Sequence, residues 1–320
     1  MKLFITRIIP DADFHKLESM GIEIDIYEHD KECPREILLK RVVGVDAILS
    51  QTDDDIDEAL MEAAGSKLKV VANYGVGFEN IDLTAAKKRN IIISNTPVED
   101  AFDATAEATV ALLTSVAKRI TYLHWYKKVN NVDPGFSFVG DMGVSLRNKT
   151  CGIIGMGNIG SRVARMMHKG FNNKILYFDV PVRTELEQEL SATKLSLAEV
   201  MQKSDFICIN LPLLDSTKGL INKEMIDLMP NHSTIVSIAR TGIIDDAAIV
   251  ERINKGELHG AGLDIYTDAV DNFNEHANIA LTSHLANLEV EAFSAMASCC
   301  VANLLAVLTG KNPINEVKIY

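Results

Sequence analysis

Short apolar runs alternate with stretches of helical periodicity through the first hundred residues. The apolar runs have the length of buried strands and occupy positions 3–9, 22–27, 46–50, 68–72 and 91–95. Between the third and fourth runs, the apolar residues from Asp55 to Ala64 recur with the spacing of a helix. This alternation predicts an α/β unit in which a parallel sheet is flanked by helices.

A second series of the same kind begins after residue 150. Its strand-like apolar cores lie at 151–154, 175–178, 206–210, 235–238, 262–265 and 279–282. The last apolar stretch, from Glu289 to Gly310, has helical spacing, and we expect it to return to the first unit. We therefore predict a domain of residues 100–285 inserted into a discontinuous domain of residues 1–99 and 286–320.

Three spaced glycines end the first apolar run of this second series. The turn comprises Gly155, Gly157, Asn158, Ile159 and Gly160, and its glycines have the G-x-G-x-x-G spacing. The first glycine permits a tight turn, the second lets backbone N–H groups approach a pyrophosphate, and the third lets the following helix pack on the strand. The pyrophosphate would lie at the helix N-terminus, where unpaired N–H groups favour an anion. The motif predicts a dinucleotide site.

A carboxylate follows the next apolar run at the expected distance from the glycines. Asp179 lies about twenty residues past Gly160, where the dinucleotide fingerprint places an acid. A carboxylate at this position accepts hydrogen bonds from a ribose diol and repels a 2′-phosphate. We therefore predict NAD(H) rather than NADP(H), a preference that the nearby Arg183 weakens slightly.

Composition restricts the partners of the protein. The 320-residue chain has a formal net charge of −12, which argues against nucleic acid, since phosphate neutralisation needs clustered Lys and Arg. Its five cysteines lack the spacing of a zinc site or a disulfide framework, so we expect reduced thiols and no metal. We recognise neither a signal peptide nor an apolar window of membrane-span length, and we expect a cytoplasmic protein.

Two side chains with suitable chemistry follow strands of the second series. Arg240 comes after the run 235–238 and offers a permanently charged fork that matches a carboxylate. His284 comes after the run 279–282, and its imidazole can donate a proton to a carbonyl oxygen near neutral pH. Considered alone, each residue has an alternative interpretation: Arg240 could be a surface arginine in a turn, and His284 could be a structural histidine.

A glycine-bearing loop follows a strand of the first unit. Tyr74, Gly75, Val76 and Gly77 lie just after the run 68–72, at the carboxyl end of a strand, where ligands bind in open α/β sheets. The two glycines would free N–H groups to form an anion-binding nest suited to a small carboxylate. The alternative is an ordinary turn before the next helix.

Several segments, in the same order along almost the whole chain, together resemble the D-isomer-specific 2-hydroxyacid dehydrogenases. Within that family the likeness is to glyoxylate/hydroxypyruvate reductase and D-lactate dehydrogenase-like members. The segments are Asn73–Asp82, Thr96-Pro97 with 103–107, Gly152–Gly160, Asn210-Leu211-Pro212 with Thr217, Ala239–Gly242 with Asp245, Gly262–Asp264, and Thr282–His284.

The resemblance implies two Rossmann-like domains, a doubly wound parallel-sheet NAD domain inserted into a smaller, flavodoxin-like substrate domain. It implies that Arg240 binds the carboxylate and carbonyl of a 2-oxo acid and that His284 is the general acid/base. Backbone groups near Gly75 to Gly77 would hold the carboxylate, with Tyr74 beside them, and Asp264 would help to fix the nicotinamide carboxamide. Further residues that it places at the cofactor are Thr105, Leu211, Pro212, Thr217 and Ile238.

The chain departs from the family pattern around the catalytic histidine. The family has a Glu five residues after the Asp264 equivalent, which orients the His and raises its pKa, but Ala269 stands there. The nearest carboxylates are Asp268 and Asp271, and the stretch before His284 is shorter than in the family, so a loop shift could bring Asp268 into this role. Without an acid partner the pKa of His284 should fall. Ser283 replaces the proline that usually precedes the His.

We predict NADH-dependent reduction of a small 2-oxo acid to the D-2-hydroxy acid, with a reversible hydride transfer. The alternative is an NAD(H)-sensing, corepressor-like interaction protein, because the missing Glu could mark lost catalysis; formate oxidation ranks last. A homodimer through the NAD domain is implied by the resemblance, with the helical stretch from Ala108 to Tyr126 as its candidate surface.

Overall fold

The computed structural model describes residues 1–9, 13–130, 142–274 and 277–318. The chain divides into two compact units: unit 1 comprises Met1–Ala101 and Leu288–Tyr320, and unit 2 comprises Phe102–Asn287. The borders lie two residues from those expected from the sequence. Each unit is a parallel sheet flanked by helices, so the predicted fold class of two α/β units is confirmed.

Unit 1 contains a five-stranded parallel sheet with the strand order β2-β1-β3-β4-β5, which is the flavodoxin-like order. The strands are β1 (Lys2–Ile5), β2 (Glu23–Ile26), β3 (Ala47–Gln51), β4 (Val70–Tyr74) and β5 (Ile92–Ser94). The helices are α1 (His15–Glu18), α2 (Arg35–Arg41), α3 (Glu58–Ala64), α4 (Leu83–Lys88) and, from the end of the chain, α12 (Val290–Leu308). Strands β3 and β4 are almost wholly buried, as the central strands of a sheet covered on both faces must be.

Helix α12 is long and apolar enough to cross a membrane by length and composition, contrary to the expectation that no such window exists. Its buried side chains pack on β4, β3 and β5 of unit 1. A core helix of a globular domain has the same composition, since its apolar face is covered by the sheet. Helix α12 thus completes the core of unit 1, as its predicted return to the first unit requires.

Unit 2 contains a seven-stranded parallel sheet, whose order β12-β11-β10-β9-β6-β7-β8 has β6 and β9 as neighbours at its centre. The strands are β6 (Thr150–Ile154), β7 (Lys174–Phe178), β8 (Thr193–Lys194), β9 (Phe206–Ile209), β10 (Thr234–Ser237), β11 (Gly260–Leu263) and β12 (Ile279–Leu281). This is the doubly wound order in which the winding reverses between β6 and β9. Ligands bind at the carboxyl ends of strands at such a reversal.

The helices of unit 2 cover both faces of this sheet. They are α5 (Glu99–Ala117, which begins in unit 1), α6 (Ile120–Asn130), α7 (Asn158–Phe171), α8 (Thr184–Leu190), α9 (Leu197–Lys203), α10 (Lys223–Asp227), α11 (Asp246–Asn254) and a 3₁₀ helix (Asp268–Asn272). Side-chain caps fix several starting points: Asn222 accepts from the Met225 N–H, and Ser196 forms a capping box with Glu199.

The single helix expected from about Asp103 to Tyr126 is wrong, because two helices occupy this region. Helix α5 ends at Ala117, and Arg119 has a φ of 56°, a left-handed conformation that no helix interior accepts. The apolar periodicity continues through the break, so the pattern alone did not show it.

All five cysteines are free thiols, in agreement with the expected reduced state. Four of them are buried, and Cys299 is half-buried. Burial raises the pKa of the Cys33 thiol to about 11 and that of Cys300 well above its ordinary value. Cys33 and Cys300 therefore serve as small apolar core residues, since the thiolate is the reactive form.

The C-terminus of α5 is capped by side chains from elsewhere in unit 2. The Nε2 atom of His259 lies 3.2 Å from the carbonyl oxygens of both Val116 and Ala117, and Asn278 Nδ2 donates to Val116 at 2.8 Å. Because carbonyls only accept, Nε2 carries the proton. Burial, with the charge of Arg119 nearby, lowers the pKa of His259 below its usual 6.5.

This lowered pKa predicts an acid-dependent loss of stability. An imidazole that is harder to protonate in the folded state stabilises the fold above pH 6.5 and loses that contribution as the pH falls through the folded-state pKa. We expect the melting temperature of the protein to exceed that of His259→Gln by a margin that shrinks between pH 7 and pH 5. Thermal unfolding across this range measures the difference, and a margin independent of pH contradicts the assignment.

Candidate functional site

Unit 2 places its predicted functional residues along one edge of the sheet. In parallel strands the carboxyl ends meet at the same edge, and six strands here are followed directly by a residue of interest. These residues are Gly155 after β6, Asp179 after β7, Asn210 after β9, Ile238 after β10, Asp264 after β11 and Thr282 after β12. The pairing register puts the ends of β6, β9, β10, β11 and β12 side by side.

The glycine turn after β6 is fixed by two close backbone approaches. Gly155 has a φ of +89°, and a Cβ there would lie 2.7 Å from the carbonyl oxygen of Asn210. A Cβ at Gly160 would overlap the carbonyl oxygen of Gly155. Since real Cβ atoms cannot approach so closely, only glycine at these positions lets α7 start directly against β6 and β9.

Gly157 differs from its two neighbours in the motif because a Cβ there would meet nothing within 4 Å. The protein itself does not require glycine at this position, so the open space is available to a ligand. Among the described residues, no side chain caps the N-terminus of α7. The first N–H groups of this 14-residue helix and its dipole therefore suit a pyrophosphate, and the turn fits the dinucleotide that its sequence predicts.

The Asp179 carboxylate is held at the end of β7 by four donors. Its Oδ2 accepts from Met156 N at 3.1 Å and from Arg183 Nε and Nη2 at 3.2 and 3.0 Å, and its Oδ1 accepts from Val180 N at 2.7 Å. The bond to Met156 joins the carboxylate to the glycine turn. This is the position of the acid that receives a ribose diol in dinucleotide-binding folds. Arg183 offsets part of its negative charge, as the sequence suggested.

The loop after β9 presents the other predicted cofactor residues. The side chain of Leu211 lies against Gly155, and a Cβ on that glycine would be 2.9 Å from Leu211 Cδ2. Thr217 is buried and braces the loop, since its hydroxyl donates to Pro212 O at 2.7 Å and accepts from Leu214 N at 2.8 Å. The structure brings Leu211 to the glycine turn but uses the Thr217 side chain within the loop.

Two other predicted cofactor residues occupy separate elements of unit 2. Ile238 is buried just after β10, and its N–H donates to the Ile209 carbonyl at 3.3 Å. Thr105 lies half-buried in α5, where its carbonyl accepts from the hydroxyl of Thr109 at 2.8 Å.

His284 has a left-handed backbone, and Asp264 holds the segment around it. The φ of His284 is 58°, an uncommon conformation for a residue with a Cβ. Its N–H donates to the Asp264 carbonyl at 2.8 Å, while Asp264 Oδ1 accepts from Thr282 Oγ1 at 2.7 Å and from Leu285 N at 2.9 Å. Asp264 is buried, so these bonds on either side of His284 are shielded from water. They explain how a strained residue keeps one conformation.

Arg240 and His284 occupy equivalent places on two strands that flank β11. Each lies three residues past the end of its strand, β10 for Arg240 and β12 for His284, and Asp264 follows the strand between them. The turn after Arg240 is closed by its own backbone, because its carbonyl accepts from Ile243 N at 3.4 Å and Gly242 adopts a φ of +83°. A permanent cation and an imidazole thus stand at the same sheet edge as the dinucleotide turn.

Asp268 begins the 3₁₀ helix and is exposed. In the described part of the chain no group donates a hydrogen bond to its carboxylate, so its partnership with His284 stays a prediction. The preceding residue is anchored: Asp246 Oδ2 accepts from Thr267 N at 2.8 Å and from its hydroxyl at 2.9 Å. Burial raises the pKa of Asp246. Sequence reasoning missed this residue, because an Asp in a first helical turn normally signals only a favourable helix start.

In unit 1 the loop after β4 has all three carbonyls of Gly75, Val76 and Gly77 bound to the protein. Gly75 O accepts from Thr96 N at 3.0 Å, Val76 O from Asn95 Nδ2 at 2.7 Å, and Gly77 O from Asn73 Nδ2 at 2.8 Å. In a trans peptide the C=O of one residue and the N–H of the next point in opposite directions.

It follows that the N–H groups of Val76, Gly77 and Phe78 point away from these three donors. No described group accepts from them, so three consecutive N–H groups are available to an anion. Neither Gly75 nor Gly77 has a left-handed φ, so the loop differs in backbone conformation from the nest expected from the sequence. Tyr74 is placed otherwise: its hydroxyl donates to Phe293 O at 2.8 Å and its ring packs edge-on against that of Phe293. These contacts make the Tyr74 side chain part of the core, and burial raises the pKa of its hydroxyl.

Comparison with known proteins identifies the family. Residues 110–286 match the family model described as "D-isomer specific 2-hydroxyacid dehydrogenase, NAD binding domain". The chain belongs to the D-isomer specific 2-hydroxyacid dehydrogenases.

Individual relatives match nearly the whole chain. A glyoxylate reductase from Pyrococcus horikoshii is 36% identical over 323 residues, which cover 98% of this chain and 94% of that enzyme. A crystal structure of a protein from Thermus thermophilus superposes with a TM-score of 0.89 at 31% identity, covering 99% and 100% of the two chains. The D-lactate dehydrogenase from Aquifex aeolicus, in a structure complexed with NAD and lactic acid, superposes with a TM-score of 0.84 at 26% identity, covering 99% of each chain.

These comparisons confirm the predicted family, fold class and NAD cofactor. The protein is an oxidoreductase that reduces a 2-oxo acid with NADH, and the alternative of a cofactor-sensing interaction protein is not favoured.

The contrast between the glycines predicts that Gly157→Ala folds normally but binds NADH poorly. The added methyl group meets no protein atom within 4 Å but occupies the space in front of the α7 N-terminus. Loss of two hydrogen bonds to a charged pyrophosphate costs about 3 kcal/mol or more, about a hundredfold in NADH affinity. Fluorescence titration with NADH measures this loss.

Gly170→Ala is the matched control, because Gly170 lies in the same helix and also has open space around its Cβ position. We expect this variant to bind NADH as the unmodified protein does. Equal NADH affinity in both variants would contradict the placement of the pyrophosphate at Gly157.

Proposed function

We propose that the protein reduces glyoxylate and similarly small 2-oxo acids with NADH, and that it yields the D-isomer where the product is chiral. The observation that carries this proposal is the arrangement of Arg240 and His284 just past the two strands that flank β11, at the sheet edge that also carries the glycine turn. The glyoxylate reductases at 32–36% identity support the choice of substrate.

In this proposal the residues of the chain bind, polarise and protonate the substrate. NADH supplies a hydride to the carbonyl carbon when it is bound. Arg240 pairs with the substrate carboxylate and stabilises the negative charge that develops on the carbonyl oxygen. His284 gives its proton to that oxygen, so the carbonyl becomes a hydroxyl, and the same imidazole accepts the proton in the reverse direction.

The cofactor would be held by the α7 N-terminus at Gly157, by the Asp179 carboxylate on the adenosine ribose, and by Leu211 and Ile238 along the sheet edge. Asp264 has two tasks: its buried carboxylate orients the segment of His284 through Thr282 and Leu285, and it stands near the proposed nicotinamide position. The substrate carboxylate would be received by the N–H groups of the loop from Gly75 to Gly77.

We further propose a homodimer in the cytoplasm, without nucleic acid or a membrane as a partner. Apolar side chains are exposed along α6, at Ile120, Trp125 and Val129. A hollow beside them is lined by residues of α5 and α7 with Ile120, which supports the NAD domain as the contact surface. The net charge of −12 disfavours a nucleic-acid partner, because it would repel the phosphate backbone.

We expect His284→Ala to lower kcat for glyoxylate by about 10²- to 10⁴-fold, because proton transfer by a positioned side chain contributes a factor of this size. NADH binding should be retained, since no part of the glycine turn is altered. The measurement is NADH oxidation followed by absorbance with glyoxylate, pyruvate, hydroxypyruvate and branched 2-oxo acids. Undiminished turnover in the variant would exclude His284 as the acid.

Asp268→Asn tests the proposed partner of this histidine. A nearby carboxylate favours the protonated imidazole, so its removal should shift the pH midpoint of glyoxylate reduction to lower pH. The pH profile of kcat/KM reports this midpoint for the free enzyme. Asp271→Asn removes the other nearby carboxylate of the same 3₁₀ helix, and a shift of the midpoint in that variant alone would assign the role to Asp271. An unchanged midpoint in Asp268→Asn would remove Asp268 from the mechanism.

A further inference from the structure

A buried amide lies directly beneath the loop from Gly75 to Gly77. Asn73, on β4, is fully buried, and its Nδ2 donates to Gly77 O at 2.8 Å and to Asn80 Oδ1 at 3.2 Å. Its Oδ1 accepts from Ser50 Oγ at 2.8 Å, and Asn80 Nδ2 lies 3.3 Å from the same oxygen. Both donors of the amide are bound and its oxygen receives a hydroxyl, so the side chain has a single orientation.

Asn80 extends this network to the loop after β3. Its Nδ2 donates to the carbonyls of Gln51 and Asp54, at 3.0 and 2.9 Å. The backbone carbonyl of Asn80 accepts from Ile56 N at 2.9 Å. The two side-chain amides therefore join the ends of β3 and β4 and the glycine loop into one hydrogen-bonded body.

The sheet does not need these side chains to hold its strands together. Ser50 and Asn73 are already paired in the backbone register of β3 and β4, and that ladder continues from Ala47 to Gln51. What the amides add is a fixed position for the Gly77 carbonyl. Gly77 has no side chain to restrain it, so its peptide group is the one most free to rotate.

We propose that Asn73 and Asn80 are positioning residues for the substrate carboxylate. By binding the Gly77 carbonyl, Asn73 turns the N–H of Phe78 to the opposite side, and Asn80 keeps Asn73 in place. This inference rests on the proposed function, in which the N–H groups of this loop receive a 2-oxo acid. A satisfied buried network is rigid, whereas an incomplete one is costly, so loss of one amide disturbs the loop rather than leaving it unchanged.

Asn73→Ala tests the inference, with Val71→Ala as its matched control. Val71 lies two residues earlier on β4, is equally buried and belongs to the apolar core, so its truncation destabilises unit 1 without removing a side-chain hydrogen bond to the loop. For Asn73→Ala we expect the KM for glyoxylate to rise about tenfold or more, the loss that follows when an N–H to a charged group is misdirected. Its kcat should change by less than about threefold, as for a uniform loss of substrate binding.

A second readout is the binding of oxamate, a non-reacting analogue of pyruvate, to the NADH complex. Its Kd should weaken in Asn73→Ala in parallel with KM, while the Kd of NADH alone stays unchanged. Asn80→Ala should weaken oxamate binding less than Asn73→Ala does. In the double variant the two losses of affinity should not be additive, because both residues act through one network. In Val71→Ala the melting temperature should fall and the oxamate Kd should remain that of the unmodified protein.

The inference is overturned if Asn73→Ala lowers the melting temperature while KM and the oxamate Kd stay unchanged, since the network would then be structural only. If Asn73→Ala does not fold, the same measurements are made on Ser50→Ala. This substitution removes only the hydroxyl oxygen of Ser50 and, with it, one hydrogen bond to Asn73 Oδ1. A protein that binds NADH but reduces no 2-oxo acid would instead contradict the proposed function.

Discussion

The contact between α7 and β6 is the constraint on which the dinucleotide site depends. Any side chain at Gly160 would overlap the carbonyl oxygen of Gly155, so this close packing exists only because residue 160 is glycine. It sets the N-terminus of α7 at the reversal of the sheet, beside the end of β9. The helix dipole, the Asp179 carboxylate and the loop after β9 then converge on one edge without further adjustment.

Much of the fold could be predicted because its signals are local. Buried strands of a parallel sheet are continuous apolar runs, and the glycine motif marks a strand-turn-helix unit with fixed geometry. The break between α5 and α6 could not be seen, because it depends on the left-handed backbone of Arg119, whereas the apolar spacing runs on. The apolar composition of α12 was underestimated as well, although its return to unit 1 was predicted.

The positions of the candidate site residues were predictable to the extent that these residues follow strands. Arg240 and His284 could be chosen from their chemistry and their positions, since parallel strands bring their carboxyl ends to one edge. The residues that hold the surrounding segments in place could not be predicted, because they act through contacts between distant parts of the chain. That Asp264 bonds to residues on both sides of His284 depends on the pairing of β11 with β12, and that Asp246 anchors Thr267 depends on the packing of α11. One acidic residue in a sequence looks like another until such pairings are known.

In the two proposed sites, backbone N–H groups would be presented to anions in different ways. In unit 2 the N–H groups are free because they begin a helix, so the site requires little beyond small residues, and its signature is readable in ten consecutive positions. In unit 1 no helix orients the N–H groups of Val76, Gly77 and Phe78. Each of them points away from the donor, from Asn73, Asn95 or Thr96, that binds the carbonyl of the same peptide group. Carboxylate binding by this loop should therefore respond to substitutions that never touch a ligand, whereas pyrophosphate binding should respond mainly to added volume at a single glycine.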